Sequence, residues 1–396
     1  MPNSLPPGFL NLHPDPPFNF LLNRLASTNS PDELTELGRS IQTMEDCVRV
    51  LLDAAQRAEA EGRLLEAANF WRGAEFYIPA GEPGKSEAYE RFRELHDKAK
   101  PELAARRQSV AFEGGELPVI ELPAQSETRG TILANSGFDG LLEEMIPTLE
   151  PLAEAGYRVL GFEGPGQGAA LRFSGLHMPH DWERPVAAIL DHYNIDDCTL
   201  VGMSLGGYLA PRAAAFEPRV KRVVAWGAMY DFLGAVGRQL SPPKVAALQT
   251  LVRLGARKQV NAAIERVGKT NPLAKWATAH GIHVCGGKDA FDFIKWVMTM
   301  NLRKESHLIT QDTLIVMGNQ DHLVPLSQAY KQAEALKNAR SVHVRIMTES
   351  EQGAQHCQIG NPMLVVDEIL RWLDGLARRD ADLENCRPNL LSERAA

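Results

Sequence analysis

Excess positive charge, close cysteine pairs and long apolar runs are all missing from this sequence of 396 residues. Lysine and arginine number 42 against 50 aspartates and glutamates, a net charge of −8. No basic patch or stripe stands out of the kind a polyanion-binding surface needs, which argues against nucleic acid as a partner. The five cysteines (Cys47, Cys198, Cys285, Cys357, Cys386) are dispersed, with no CxxC pair. An odd, scattered set points to reduced thiols and away from a disulfide framework or thioredoxin-like chemistry. No apolar run approaches the roughly 18 residues needed to cross a bilayer. The opening stretch, MPNSLPPGFLNLHPDPPFNF, has neither the basic nor the uninterrupted apolar region of a signal peptide. The expectation is a soluble cytoplasmic protein without a membrane partner. What is present is ordinary: 44% hydrophobic and 23% charged residues, which excludes wholesale disorder. At about 150 residues per domain the length fits one large domain with a substantial addition, or two domains.

The first 30 residues are rich in proline and asparagine and read as an extended segment lying over something else. Residues 31–104 carry helical periodicity, with Leu37, Ile41, Met44, Val48, Leu51 and Leu52 on one face of a first helix. Gly62 and the proline-flanked segment 79–83 separate it from two more helices. The spacing of Ala, Glu and Trp is close to that of a tetratricopeptide repeat, but a single unstacked copy reads more simply as a helical hairpin. Past residue 107 eight short β-rich runs appear: SVAFEG, LPVIELP, GTILANSG, YRVLGFEG, CTLVGMS, VKRVVAWG, DTLIVMG and SVHVRIM. From GTILANSG onward most are followed by helical patterns, the signature of βαβ units and a mostly parallel sheet covered by helices. The rhythm fails over residues 229–311, which read as a helical insertion with exposed-looking Trp276, Phe291, Phe293 and Trp296. The expected division is a helical N-terminal cap segment (1–107), an α/β core (108–228 and 312–380), a helical lid insertion (229–311) and a loose polar tail (381–396).

The strongest local signal is CTLVGMSLGGYLAPRAAA. Gly202-Met203-Ser204-Leu205-Gly206 is G-x-S-x-G between a β-rich run and a helix former, the context a nucleophile elbow requires. Glycines at both ends let a strand reverse into a helix without a Cβ clash. The serine hydroxyl then projects at the carboxyl edge of the sheet, beside a helix N-terminus that favours negative charge. Such a serine needs a base, and the base needs an orienting group. DTLIVMGNQDHLVP offers Asp321 just after a strand, and ESEQGAQHCQIGNP offers His356 on a loop before the final helix. Ser204, Asp321, His356 is the chain order of an α/β-hydrolase. Asp231, after the preceding strand, is the alternative acid. His322 comes too early in the order to be the base, and His343 falls inside a predicted strand.

An acyl-transfer site also needs donors for an oxyanion. The Leu205 N–H directly follows the serine, and the loop after GTILANSG supplies Phe138 N–H beside Gly137. Asp139 then either points near the pocket or caps the next helix. Gly164-Pro165-Gly166-Gln167-Gly168-Ala169 matches G-x-G-x-x-A after a strand. The nearest acid about 20 residues on, Asp191, sits in a helical run and not at a strand end, so a structural loop is preferred to a dinucleotide site. His177-x-x-His180 and His280-x-x-His283-x-Cys285 have metal-like spacing without a partner set, so no metal and no cofactor is expected.

Taken together, NSGFDG, FEGPGQG, GMSLGGY, GNQDHLVP and GAQHCQIGN resemble the α/β-hydrolases related to 2,6-dihydroxypseudooxynicotine hydrolase and the fungal polyketide-shortening hydrolases. The motifs occur in order and the resemblance covers most of the chain. It implies an α/β-hydrolase fold whose helical N-terminal segment helps to cover the active site, a homodimer, and a triad of Ser204, Asp321 and His356. It also implies hydrolysis of carbon–carbon bonds in ketone or 1,3-dicarbonyl substrates, with esterases among similar sequences. The acid implicated in substrate activation in the nicotine-degrading relative aligns by motif with Asp139, one methylene shorter than the family glutamate. Glu163 stands where aspartate is common. The expected mechanism is acyl-enzyme formation at Ser204 with Leu205 and Phe138 N–H holding the oxyanion. Asp139, its pKa raised by burial, would then assist a carbon leaving group. Other readings are a carboxylesterase, thioesterase or acyltransferase, a non-catalytic hydrolase-fold binding protein, and a dinucleotide oxidoreductase.

Overall fold

The computed structural model describes residues 8–238 and 240–393. Helices α1 (Pro16–Leu25), α2 (Pro31–Gly38), α3 (Met44–Ala60), α4 (Leu64–Tyr77), α5 (Pro83–Ala99) and α6 (Pro101–Ala104) precede the sheet. There follow β1 (Arg107–Phe112), β2 (Gly115–Leu122), β3 (Thr131–Asn135), α7 (Leu142–Glu154), β4 (Arg158–Phe162), α8 (Gly168–Arg172) and α9 (Glu183–His192). Next come β5 (Cys198–Met203), α10 (Gly206–Ala214) and β6 (Val220–Trp226). The helices α11 (Phe232–Val236), α12 (Pro242–Arg253), α13 (Arg257–Thr270), α14 (Pro272–Cys285) and α15 (Ala290–Val297) interrupt the βα rhythm. It resumes with β7 (Asp312–Gly318), α16 (Ser327–Ala335), β8 (Ser341–Met347) and α17 (Met363–Glu393).

All eight β-rich runs form strands of one sheet, in the order β1-β2-β4-β3-β5-β6-β7-β8 among the described residues. β1/β2 and β2/β4 pair antiparallel and the rest parallel. Alternate side chains feed two cores. Leu133, Leu200, Val223 and Ile315 face one, with α9 and α10. Ile132, Val201, Val224 and Leu314 face the other, with α7 and α17. A third cluster holds the N-terminal helices together and takes in Leu141 and Ala169 of the sheet domain. No helix among the described residues is long and apolar enough to cross a membrane.

Four expectations are corrected. The proline- and asparagine-rich start is not extended throughout, since residues 16–25 form α1. Pro16 sits at the first helical position, where no N–H is missed. The asparagines are internal ties: Asn19 Oδ1 accepts from Leu12 N–H at 2.8 Å and His13 N–H at 3.0 Å. The single helix expected through Leu37–Leu52 is two, because Thr43 and Asp46 cap each other and restart the chain as α3. Phe291 and Phe293 are buried, turned into the core beneath the insertion. The tail after Asp380 continues as helix to Glu393. Arg379 anchors that helix to Asp312 of β7 at 2.8 Å, and Asp380 accepts from Arg340 at 2.6 Å.

Candidate active site

Ser204 sits between β5 and α10 with φ +60°, a left-handed conformation that costs a non-glycine residue strain. The close packing explains the surrounding glycines. A Cβ at position 202 would fall 2.0 Å from the Gly206 carbonyl oxygen, and one at 207 would fall 2.7 Å from that of Gly227. Ser204 N–H donates to Trp226 O at 2.8 Å, tying the turn to β6.

His356 Nε2 lies 2.9 Å from Ser204 Oγ, and His356 Nδ1 lies 2.6 Å from Asp321 Oδ2. The other Asp321 oxygen, Oδ1, accepts from Leu323 N–H and Val324 N–H, each at 2.8 Å. With Oδ1 so committed, Nδ1 carries the proton toward Oδ2 and Nε2 is left to accept from the serine. Burial alone would raise the Asp321 pKa, but the imidazole and the two backbone donors hold it below the ordinary value. Burial opposes charge on His356, yet the adjacent carboxylate outweighs it and lifts that pKa well above the usual value. Phe20 of α1 lies with its ring centroid 6.1 Å from that of His356 and 4.7 Å from that of His322.

A sequence profile for the alpha/beta hydrolase family matches residues 130–368, more than half of the chain. The chain belongs to this family. It is 36% identical over 351 residues to a hydrolase acrC of Aspergillus aculeatus, covering 80% of this chain and 81% of that one. It is 25% identical over 409 residues to the 20-hydroxy-prefusarin hydrolase FUS2 of Gibberella moniliformis, with 90% and 96% covered. Among solved structures, 2,6-dihydroxy-pseudo-oxynicotine hydrolase superposes with a TM-score of 0.61 at 20% identity, covering 89% and 94%, which shows a shared fold.

In this hydrolase the loop 136–140, after β3, faces the serine. A Cβ on Gly137 would fall 2.5 Å from Leu205 N and 2.9 Å from Ser204 Cβ, so only glycine fits there. Among the described residues neither Leu205 N–H nor Phe138 N–H has a hydrogen-bond acceptor. The carbonyls of the same loop are all engaged by side chains. Gln167 Nε2 donates to Ser136 O at 2.7 Å and Gly137 O at 3.0 Å. His280 Nε2 donates to Phe138 O at 2.9 Å, Arg72 Nη2 to Asp139 O at 2.6 Å, and Ser136 Oγ to Gly140 O at 2.7 Å.

The raised pKa expected for Asp139 is overturned. Arg24 Nη1 donates to Asp139 Oδ1 at 2.9 Å. Burial would raise the pKa, but the charges of Arg24, His280 and Arg72 together hold it below the ordinary value. Asp139 is a carboxylate at neutral pH. It belongs to an ionic cluster in which Arg24 and Arg72 also bind Glu144. Beyond it, the fully buried Glu75 takes Arg72 and Arg172 at 2.5 Å and Lys85 at 3.0 Å.

Glu75→Ala removes the carboxylate shared by three buried cations. Arg172 and Lys85 are left without an acidic partner among the described residues, while Arg72 keeps Glu144. Urea unfolding at neutral pH should show a loss of about 3–5 kcal/mol. A loss below about 1 kcal/mol would mean that water already screens the cluster. The Glu75 pKa, which burial would raise, is held well below the ordinary value by Arg172, Lys85 and Arg72. Its stabilisation is therefore complete above the unfolded carboxyl pKa of about 4.3 and is lost as pH falls through the folded value.

The other candidates are drawn into structural roles. Asp231 caps α11 and pairs with Arg303, and His343 pairs with Glu368 on the outer face. His322 lies beside the relay, its pKa pushed down to about 4 by burial and by His356. In FEGPGQG the Glu163 carboxylate accepts from Leu142 N–H at 3.1 Å and Ala169 N–H at 2.6 Å. It fills the start of α8, where a pyrophosphate would otherwise sit. Among the described residues no three His, Cys, Asp or Glu groups converge to hold a metal. Sequence reasoning met Gln167 and His280 only as parts of a dinucleotide-like loop and a metal-like spacing, and it missed Phe20 and Gln358, whose Oε1 accepts from Trp226 Nε1 at 2.8 Å and pins the His356 loop.

A cavity of about 1970 Å³ lies between the N-terminal helices and α13–α14. Phe18, Tyr77, Ile78, Ile264 and Trp276 give it apolar walls, and it reaches His280, His322 and Leu323.

Proposed function

We propose that this chain is a serine hydrolase that cleaves a carbon–carbon bond next to a carbonyl in an aromatic or polyketide-like ketone or 1,3-dicarbonyl compound. The observation that carries the reading is the serial hydrogen bonding of Ser204, His356 and Asp321 beneath two N–H groups without acceptors. His356 takes the Ser204 proton as Oγ adds to the carbonyl, and Leu205 N–H and Phe138 N–H receive the oxyanion. One such donor is typically worth about 3 kcal/mol. Collapse breaks the C–C bond. The bond pair leaves on carbon as an enolate, which takes the proton from the His356 imidazolium, and an acyl-Ser204 remains. His356 then deprotonates water, which adds to the acyl carbon; Ser204 leaves with that proton and a carboxylic acid is released. One water is consumed and no cofactor enters.

The cavity, which reaches His280 and His322 beside the reacting groups, supports a small organic substrate. The N-terminal helices α1–α6 and the inserted helices α11–α15 act as the cover that excludes water. The printed name of the Gibberella relative, a 20-hydroxy-prefusarin hydrolase, supports a small organic molecule as the substrate class. Asp139, held as a carboxylate by Arg24, orients the loop and is not the proton donor to the leaving carbon; that role falls to His356. The family resemblance carries a homodimer with it, and the four described free thiols suit a cytoplasmic setting.

Incubation with aryl 1,3-diketones beside matched aryl esters in ¹⁸O-water, followed by mass spectrometry, tests the proposal. The expected result is a methyl ketone and a carboxylic acid bearing one ¹⁸O from the diketone. Cleavage of the esters alone would make the protein an esterase, and acyl transfer to an added alcohol without labelled acid would make it an acyltransferase.

A further inference from the structure

His280 belongs to a histidine pair whose spacing suggested a metal, and the proposed reaction leaves it without a role. It is buried on α14, its ring stacked on Trp276 with centroids 5.3 Å apart and planes 4° apart. It also meets the Phe138 ring edge-on at 4.8 Å. Its Nε2–H is committed to the Phe138 carbonyl. The stacking partner is fixed in turn, since Trp276 Nε1 donates to Phe76 O of α4 at 2.7 Å.

The consequence lies in the peptide planes. Gln167 holds the Gly137 carbonyl, and in a trans peptide the Phe138 N–H must then point the opposite way. His280 holds the next carbonyl, that of Phe138. With the planes on both sides of the Phe138 Cα pinned, its two backbone dihedrals have no freedom left. Gln167 belongs to the sheet domain, but His280 comes from the helical insertion. The second pin therefore exists only while α14 is seated on the loop.

We propose that His280 is a positioning residue that holds the Phe138 N–H in register for the oxyanion, so that the helical insertion completes the reaction centre as well as covering it. This rests on the serine-hydrolase reading above. Donors preorganised before charge develops act without reorganisation, and small displacements cost large factors in rate.

The test uses a fluorophosphonate, whose phosphoryl oxygen occupies the oxyanion position when Ser204 is labelled, so no substrate need be known. His280→Phe keeps the stacking and removes the donor. The limiting labelling rate is expected to fall about 10–100-fold, with half-saturation changed by less than about threefold. His280→Gln, whose amide reaches the same carbonyl, should recover the rate, and the shorter His280→Asn should not. Should His280→Phe fail to fold, the Gln and Asn pair decides on its own. Labelling of His280→Phe at the wild-type rate, or equal rates for Gln and Asn, would overturn the proposal. Ser204→Ala, run alongside, separates the two readings. If it is labelled as fast as wild type, the serine-hydrolase reading fails. If it stays unlabelled while His280→Phe reacts normally, only the positioning role falls.

Discussion

Ser204→Ala is expected to lower kcat by at least about 10⁴-fold, with the fold and the melting temperature unchanged. The alanine removes the hydroxyl whose Oγ stands 2.9 Å from His356 Nε2. Any residual rate should come from the unpartnered N–H groups and from binding, which survive the change. The turn itself is held by backbone contacts, Ser204 N–H to Trp226 O and Gly207 N–H to Ser204 O, each at 2.8 Å. Alanine keeps both. Intact-mass spectrometry of wild type quenched during turnover should find an acyl adduct on the peptide containing Ser204. A variant that turns over within tenfold of wild type would remove the nucleophile from the account and the acyl-enzyme with it.

Asp321→Asn has the second largest effect, a loss of about 10⁴-fold in kcat, because it reverses a proton. Leu323 N–H and Val324 N–H both point at Oδ1, so the amide oxygen must stay there and the NH₂ must face His356. Nδ1 then has to accept, the imidazole proton moves to Nε2, and Nε2 can no longer take the proton of Ser204. The pH profile should move as well. The base works only when neutral, so in wild type kcat/KM should rise with pH along a limb above the ordinary imidazole value of about 6.5. Against the opposing effect of burial, the Asp321 charge raises that limb. In Asp321→Asn the residual limb should lie lower. A limb that stays in place would mean that Asp321 does not set the charge on His356.

Much of this architecture is written locally. Each of the eight strands is a short β-rich run bounded by turn residues, and each forms where its own composition places it. Gly202, Gly206 and Gly207 announce the elbow because their neighbours leave no room for a Cβ. Asp321 and His356 are legible because each follows a strand in a fixed order. The helical insertion is legible as helix but its packing is not. Nothing in the string of residues distinguishes Phe293, which is buried, from an aromatic on an open face. The start of the chain is harder still: its prolines and asparagines signal loop by composition and yet cap and tie a helix.

The amino-acid order alone thus determined the eight strands, the turn that presents Ser204 and the candidates Asp321 and His356, since each of these signals lies within a few positions. Folding brought the three side chains into hydrogen-bonding distance. Only the tertiary structure decided the charge of Asp139, the place of Phe20 beside the imidazole and the clamp on loop 136–140. Those depend on Arg24, Arg72, Gln167 and His280, which are distant in sequence. A carboxyl group takes its protonation, and a backbone carbonyl its direction, from the charges and donors that folding brings within about 3 Å, and no local pattern encodes those neighbours.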